Sequence, residues 1–189
     1  MKLEPYEQGY LDGYCGIYSI INACRLIDPK RTEEEAGILF RQIMKHVETH
    51  KKLSLVSTGG LCTKDMEKLL KELLPTAYGI AANRPFRRSN GMGKAAFFQA
   101  IKEYLEGGKG RAVIAYLITE EWDHWTVVKG FTNKEITFFD SASINRLRKD
   151  QCRIGLKKQG GLRVFVPSRA FFLWSTVKKE TGKRGRRRP

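Results

Sequence analysis

An α+β fold is predicted for this chain, helices first and an antiparallel sheet afterwards, because its texture changes once. Up to the Gly107–Gly108 pair, apolar residues recur at helical spacing. Beyond it they fall into short β-rich runs separated by turns. At 189 residues, 41% of them apolar, the chain is the size of one domain and can bury a proper core.

Residues 15–27, CGIYSIINACRLI, place Ile17, Ile20, Ile21 and Cys24 at helical spacing. Pro29 closes this helix by driving Asp28 out of the helical region. Thr32 to Glu35 has the form of a capping box with acids in the first turn, opening a second helix to about Val47. TGG at 58–60 reads as a turn. Thr63 is expected to cap a helix through MEKLLKELL, and Pro75 to stop it. AYGIAAN reads as a short strand, RPFRRSNGMGK as a basic loop, and AAFFQAIKEYLEGG as a helix ended by its glycines. RAVIAYLI, HWTVVKGF, EITFFD, GLRVFVP and AFFLWST are the expected strands, the last two after a basic insert. Along HWTVVKGF, alternation puts His124, Thr126, Val128 and Gly130 on one face and Trp125, Val127, Lys129 and Phe131 on the other.

The net charge of +15 is concentrated in three segments: +6 over residues 178–189, +6 over 146–163 and +4 over 84–94, leaving −1 for the remainder. The last residues, KKETGKRGRRRP, have no apolar residue and are expected to be a disordered tail. This tail is a candidate contact for nucleic acid or another polyanion. No apolar run approaches the ~18 residues of a membrane span. The opening MKLEPYEQ has no apolar h-region, so a cytoplasmic protein with reduced thiols is expected. The four cysteines include no Cys-x-x-Cys pair and only three histidines accompany them, so neither a metal site nor an organic cofactor is expected.

Cys15 lies where the loop QGYLDGY turns into the first helix. A cysteine on an apolar helix is ordinarily a small hydrophobe, as Cys24 and Cys62 are expected to be. At a helix start, with an imidazolium nearby, a thiol becomes a thiolate and hence a nucleophile. His46 and His50 fall in a Lys- and Glu-rich segment and read as surface residues. His124 opens a strand between Trp122 and Trp125. A hairpin with its turn near TNK returns the end of EITFFD beside His124, so Asp140 is the candidate that orients the imidazole. Asp123, the rival, should point to the opposite face. The Cys15 N–H and the Gln8 side-chain amide are the candidate oxyanion donors.

On the blocks QGYLDGYCGIYSIINA, DHWTVVKGF and ITFFDSA, the chain resembles the papain-like cysteine peptidases. It is most similar there to the bacterial double-glycine leader peptidases. Tyr14 and Ser141 stand where that group commonly has Asp and Pro. The resemblance implies a papain-like domain over residues 1–176 followed by a basic tail at 177–189. It further implies Cys15 as nucleophile, His124 as base, Asp140 as orienting acid and Gln8 as oxyanion residue. The expected activity is hydrolysis of a peptide or isopeptide bond in a peptide or protein substrate, through a thioester. The same residues would serve a transglutaminase- or arylamine-acetyltransferase-like acyl transfer. A basic nucleic-acid- or partner-binding module on an inactive peptidase fold is the reading from another class. Trp122, Trp125 and the basic loop 84–94 are candidates to rim the cleft and favour acidic or extended peptides.

Overall fold

The structure, a computed structural model, describes residues 3–10, 12–89, 91–120, 122–157 and 160–177. The expected tail, 178–189, lies outside the described residues. The helices are α1 (Cys15–Ile27), α2 (Glu33–Glu48), α3 (Leu53–Gly59), α4 (Thr63–Glu72), α5 (Leu74–Tyr78) and α6 (Lys94–Glu106). The strands are β1 (Ile80–Asn83), β2 (Arg111–Ile118), β3 (Asp123–Phe131), β4 (Glu135–Phe138), β5 (Arg146–Arg148), β6 (Cys152–Ile154), β7 (Arg163–Phe165) and β8 (Phe171–Ser175). The fold is α+β. The strands form one sheet in the order β1-β8-β2-β3-β4-β5, with β7 pairing one end of β2 and β6 pairing β7. Among the described residues no helix is long and apolar enough to cross a membrane.

The sheet lies between two layers. On one face α1, α2 and α4 pack Ile17, Ile20, Leu39, Ile43, Met66 and Leu69 against Ala112, Ile114, Trp125, Val127 and Leu173. On the other, α6 packs Phe97, Phe98 and Ile101 against Val113, Leu117, Val128, Ile136 and Phe172. β2 is therefore covered on both faces, which is why RAVIAYLI reads as a near-continuous apolar run. In β3, Trp125 and Val127 join the first core and Val128 the second, as alternation requires. Phe131 departs from that expectation. A register shift between Val128 and Gly130 inserts an extra residue, and Phe131 packs in the second core, 5.9 Å from Phe98.

Four further local expectations are corrected. TGG is no simple turn: Thr58 and Gly59 finish α3, and Gly60 ends it with a left-handed φ of 67°. Thr63 is the first residue of α4, whose cap is Cys62, exposed rather than core, with Asp65 bonding back to the Cys62 N–H at 3.0 Å. Pro75 stops nothing: α4 has already ended, and Pro75 sits in the first turn of α5, where its missing N–H costs no bond. The basic insert contributes β5 and β6, and β6 runs parallel to β7 in an otherwise antiparallel sheet.

Candidate functional site

The site begins with α1. Ten of its thirteen residues are buried, so the helix is held on every side. Two of them are polar, Ser19 and Asn22, four and seven residues after Cys15, on the same face of the helix. Ser19 Oγ donates to the carbonyl of Trp125 at 2.8 Å, pinning the nucleophile's helix to the strand residue next to His124. Asn22 reads the backbone of Tyr6 twice: its Nδ2 donates to the Tyr6 carbonyl at 3.0 Å, and its Oδ1 accepts from the Tyr6 N–H at 2.8 Å. One buried helix thus positions both the approach loop and the histidine strand against Cys15. These two residues were missed in the sequence, where the signal was polar side chains at i+4 and i+7 in an apolar helix.

The approach loop is tied at its far end as well. The Gly13 N–H donates to Ser57 O at 2.6 Å, and a Cβ at Gly13 would stand 2.9 Å from Gly60 N and Val56 O. Glycine is required here because the loop touches the end of α3. Asp12 braces the turn, accepting from Gly9 N at 2.8 Å and Tyr14 N at 3.1 Å. Cys15 therefore enters at the first position of α1, where its N–H has no intrahelical acceptor.

His124 and Asp140 are both about 97% buried, and His124 Nε2–H donates to Asp140 Oδ2 at 2.7 Å. With Nε2 so engaged, Nδ1 is the ring nitrogen left to serve Cys15, and both side chains line the same cleft. Burial works against a charged ring. The bond to Asp140 and its negative charge, together with the neighbouring Cys15 thiol, outweigh it and raise His124 to about 9. Burial likewise opposes the Asp140 carboxylate, but the His124 bond and the Ala142 N–H hold it below the usual range. Thr126, on the same face as His124, is buried with no hydrogen-bond partner for its Oγ1 among the described residues. Asp140 Oδ1 accepts from the N–H groups of Ala142 (2.7 Å) and Ile144 (3.2 Å), spanning a turn in which Ser143 takes a left-handed φ of 60°. The same carboxylate thus holds the imidazole with one oxygen and its own loop with the other. Asp123 instead accepts from the Tyr116 hydroxyl at 3.0 Å.

Gln8 completes the group. Its N–H donates to Ser141 O at 2.9 Å, and its Oε1 accepts from Ser141 Oγ at 3.2 Å. Ser141 is 2% exposed. With Oε1 held by Ser141, both Nε2 hydrogens are left without a partner among the described residues, and Gln8 lines the cleft, as a candidate oxyanion donor must. Ser141→Ala should therefore lower turnover by up to about tenfold, the worth of one neutral hydrogen bond. In a Gln8→Ala background the same change should cost nothing further. Equal losses in both backgrounds would make Ser141 a packing residue only.

Cys15, His124, Gln8 and Ser141 face a cleft of about 560 Å³ whose wall also includes Glu7, Tyr10, Asp12, Trp122 and Asp123. No family model, curated protein or solved structure matches this chain. What the site can do thus rests on its own geometry: a thiol at a helix start, an imidazole on the same cleft bonded to a buried carboxylate, and two candidate amide donors.

The remaining candidates separate from this cleft. Burial pushes the Cys24 thiol up to about 12, with Arg31 opposing, and the Cys152 thiol up to about 11, so both are poor nucleophiles near neutral pH. His46 is half-buried against Glu72 at 3.3 Å, and His50 is exposed. Trp125 is a packing residue, its Nε1–H donating to Leu61 O at 2.8 Å, whereas Trp122 is 37% exposed at the cleft. The basic loop 84–94 is not among the cleft residues. Arg84 points back into the fold, pairing Glu67 at 2.7 Å and bonding the Ser168 carbonyl. Among the described residues, no three His, Cys, Asp or Glu side chains are placed to hold a metal ion.

Proposed function

We propose that this protein is a cysteine peptidase of papain-like type. The observation that carries the reading is the imidazole of His124, bonded to the buried Asp140 through Nε2 and sharing one open cleft with the Cys15 thiol, which helps to raise it. The Cys15 thiolate adds to the carbonyl carbon of a peptide or isopeptide bond. The resulting oxyanion is received by the Cys15 N–H and Gln8 Nε2. The His124 imidazolium gives its proton to the leaving amine, the C–N bond breaks, and a thioester remains. His124 then takes a proton from water, the hydroxide opens the thioester through a second oxyanion, and the thiol returns with the acid product. Asp140 holds the ring in the tautomer that presents Nδ1 to sulfur.

The test is a peptide library incubated in ¹⁸O-water with mass-spectrometric readout, alongside alkylation by a thiol-directed electrophile. Cys15 should be labelled well ahead of the exposed Cys62, and new carboxyl termini should carry one ¹⁸O. Products joined to an added amine would move the reading to acyl transfer. No turnover, with Cys15 no more reactive than Cys62, would remove it.

A further inference from the structure

The cleft carries the opposite charge to the molecule. In a chain of net charge +15, its wall holds, among the described residues, three carboxylates, Glu7, Asp12 and Asp123, and no Lys or Arg. None of the three is in an ion pair among the described residues. Their hydrogen bonds come from neutral groups: the Ser143 hydroxyl to Glu7 at 3.2 Å, the Tyr116 hydroxyl to Asp123 at 3.0 Å, and backbone amides to Asp12. Arg169 stacks on the ring of Tyr116, which donates to Asp123, at 4.5 Å and is not on the cleft wall.

A second observation is independent of charge. Two of the large exposed aromatic side chains, Tyr10 and Trp122, both stand on this same wall. Trp122 meets the His124 ring edge-on at 5.1 Å, so one edge is braced while more than a third of the side chain stays in solvent. An indole or phenol face beside uncompensated carboxylates is the environment that receives an ammonium or guanidinium, through cation–π attraction and charge-assisted hydrogen bonds.

We propose that the cleft selects peptides with Lys or Arg within a residue or two of the scissile bond. Trp122 and Tyr10 offer ring faces, and Glu7 and Asp123 offer charge. This rests on the peptidase reading of the site and names its substrate class. It also reverses the preference for acidic peptides expected from the basic loop, since that loop lies away from the cleft.

The experiment uses the full chain and two peptide acyloxymethyl ketones that differ only in Arg or Glu beside the warhead. Alkylation of Cys15 is followed by intact mass. The Arg probe should react about tenfold faster at low salt, as a cation–π contact and a partly exposed ion pair together allow. The advantage should shrink between roughly 0.05 and 1 M salt as the screening length falls. Glu7→Gln with Asp123→Asn should bring the Arg-to-Glu ratio close to one. The salt series on the unaltered protein reads the same charges should that variant fail to fold. Equal rates for the two probes would overturn the substrate class and leave the nucleophile standing. If neither probe labels Cys15 faster than Cys62, the peptidase reading itself fails.

Discussion

Cys15→Ala is expected to lower peptide turnover by about 10⁴- to 10⁶-fold, the scale seen when one member of a nucleophile–base unit is removed. The fold should survive. Cys15 loses one sulfur atom at the edge of the core, while Ser19 and Asn22 still anchor α1. Thermal unfolding should therefore shift by only a few degrees. A second readout is specific to the proposed pairing. The thiol is one of the groups that raise His124, so in Cys15→Ala the imidazole should titrate lower, as followed by NMR of the ring nitrogens. Cys15→Ser should retain little activity, because the hydroxyl is a far weaker nucleophile. An alanine variant with normal turnover would end the assignment of Cys15.

Loss of the imidazole should cost as much, and here the folded state matters too. His124→Ala strips the partner from a carboxylate that is 3% exposed, and breaking a buried pair in that way costs about 3–5 kcal/mol. His124→Gln is the cleaner variant, since its amide can still donate toward Asp140 while offering no base. Turnover should again fall by about 10⁴- to 10⁶-fold. Asp140→Asn should cost less than either. Its oxygen can keep the Ala142 and Ile144 amides, but its NH₂ then faces Nε2 and favours the tautomer with the proton toward sulfur. The pH dependence follows the direction of the shift. Because the folded state raises His124 from its ordinary 6.5 to about 9, it favours the protonated ring. That stability is complete below about pH 6.5 and is lost as pH rises through 9. Activity should fall on the same alkaline limb as the imidazolium disappears. Urea unfolding from pH 6 to 10 should show the loss in the unaltered protein and not in His124→Gln. A limb that persists in that variant would belong to another group.

Much of the fold was legible because it is written locally. The α1 and α2 boundaries follow from Pro29 and from the Thr32–Glu35 box, which forms with both of its bonds. The pairing of His124 with Asp140 follows from hairpin geometry: a turn at 132–134 returns the chain across β3, and a strand of this length brings its end back to its beginning. Where propensity was weak or a residue had two roles, local reading failed. Pro75 both ends and begins helices, and only the end of α4 at Glu72 decides which. The segment 146–163 reads only as a basic insert because β5 and β6 are three residues each, too short for a period to show, with Cys152 the one buried residue of the two strands.

The sequence by itself determined the order of helices and strands, the helix start at Cys15, and which residues are chemically able to act together. Only the tertiary structure decided which of them meet and what surrounds them. Ser19 and Asn22 bond to chain segments 106 and 16 residues away, and Ser141 holds the Gln8 amide across 133 residues. The insertion that turns Phe131 over is visible only against β4. The acidic lining of a basic protein's cleft likewise exists only once the loop of Glu7 and Asp12 is folded beside Asp123, while Arg84 is turned inward to Glu67. Charge counted along a chain is a sum, whereas a cleft's field depends on which charges lie within a screening length of it, about 8 Å at physiological salt, and that distance is set by packing.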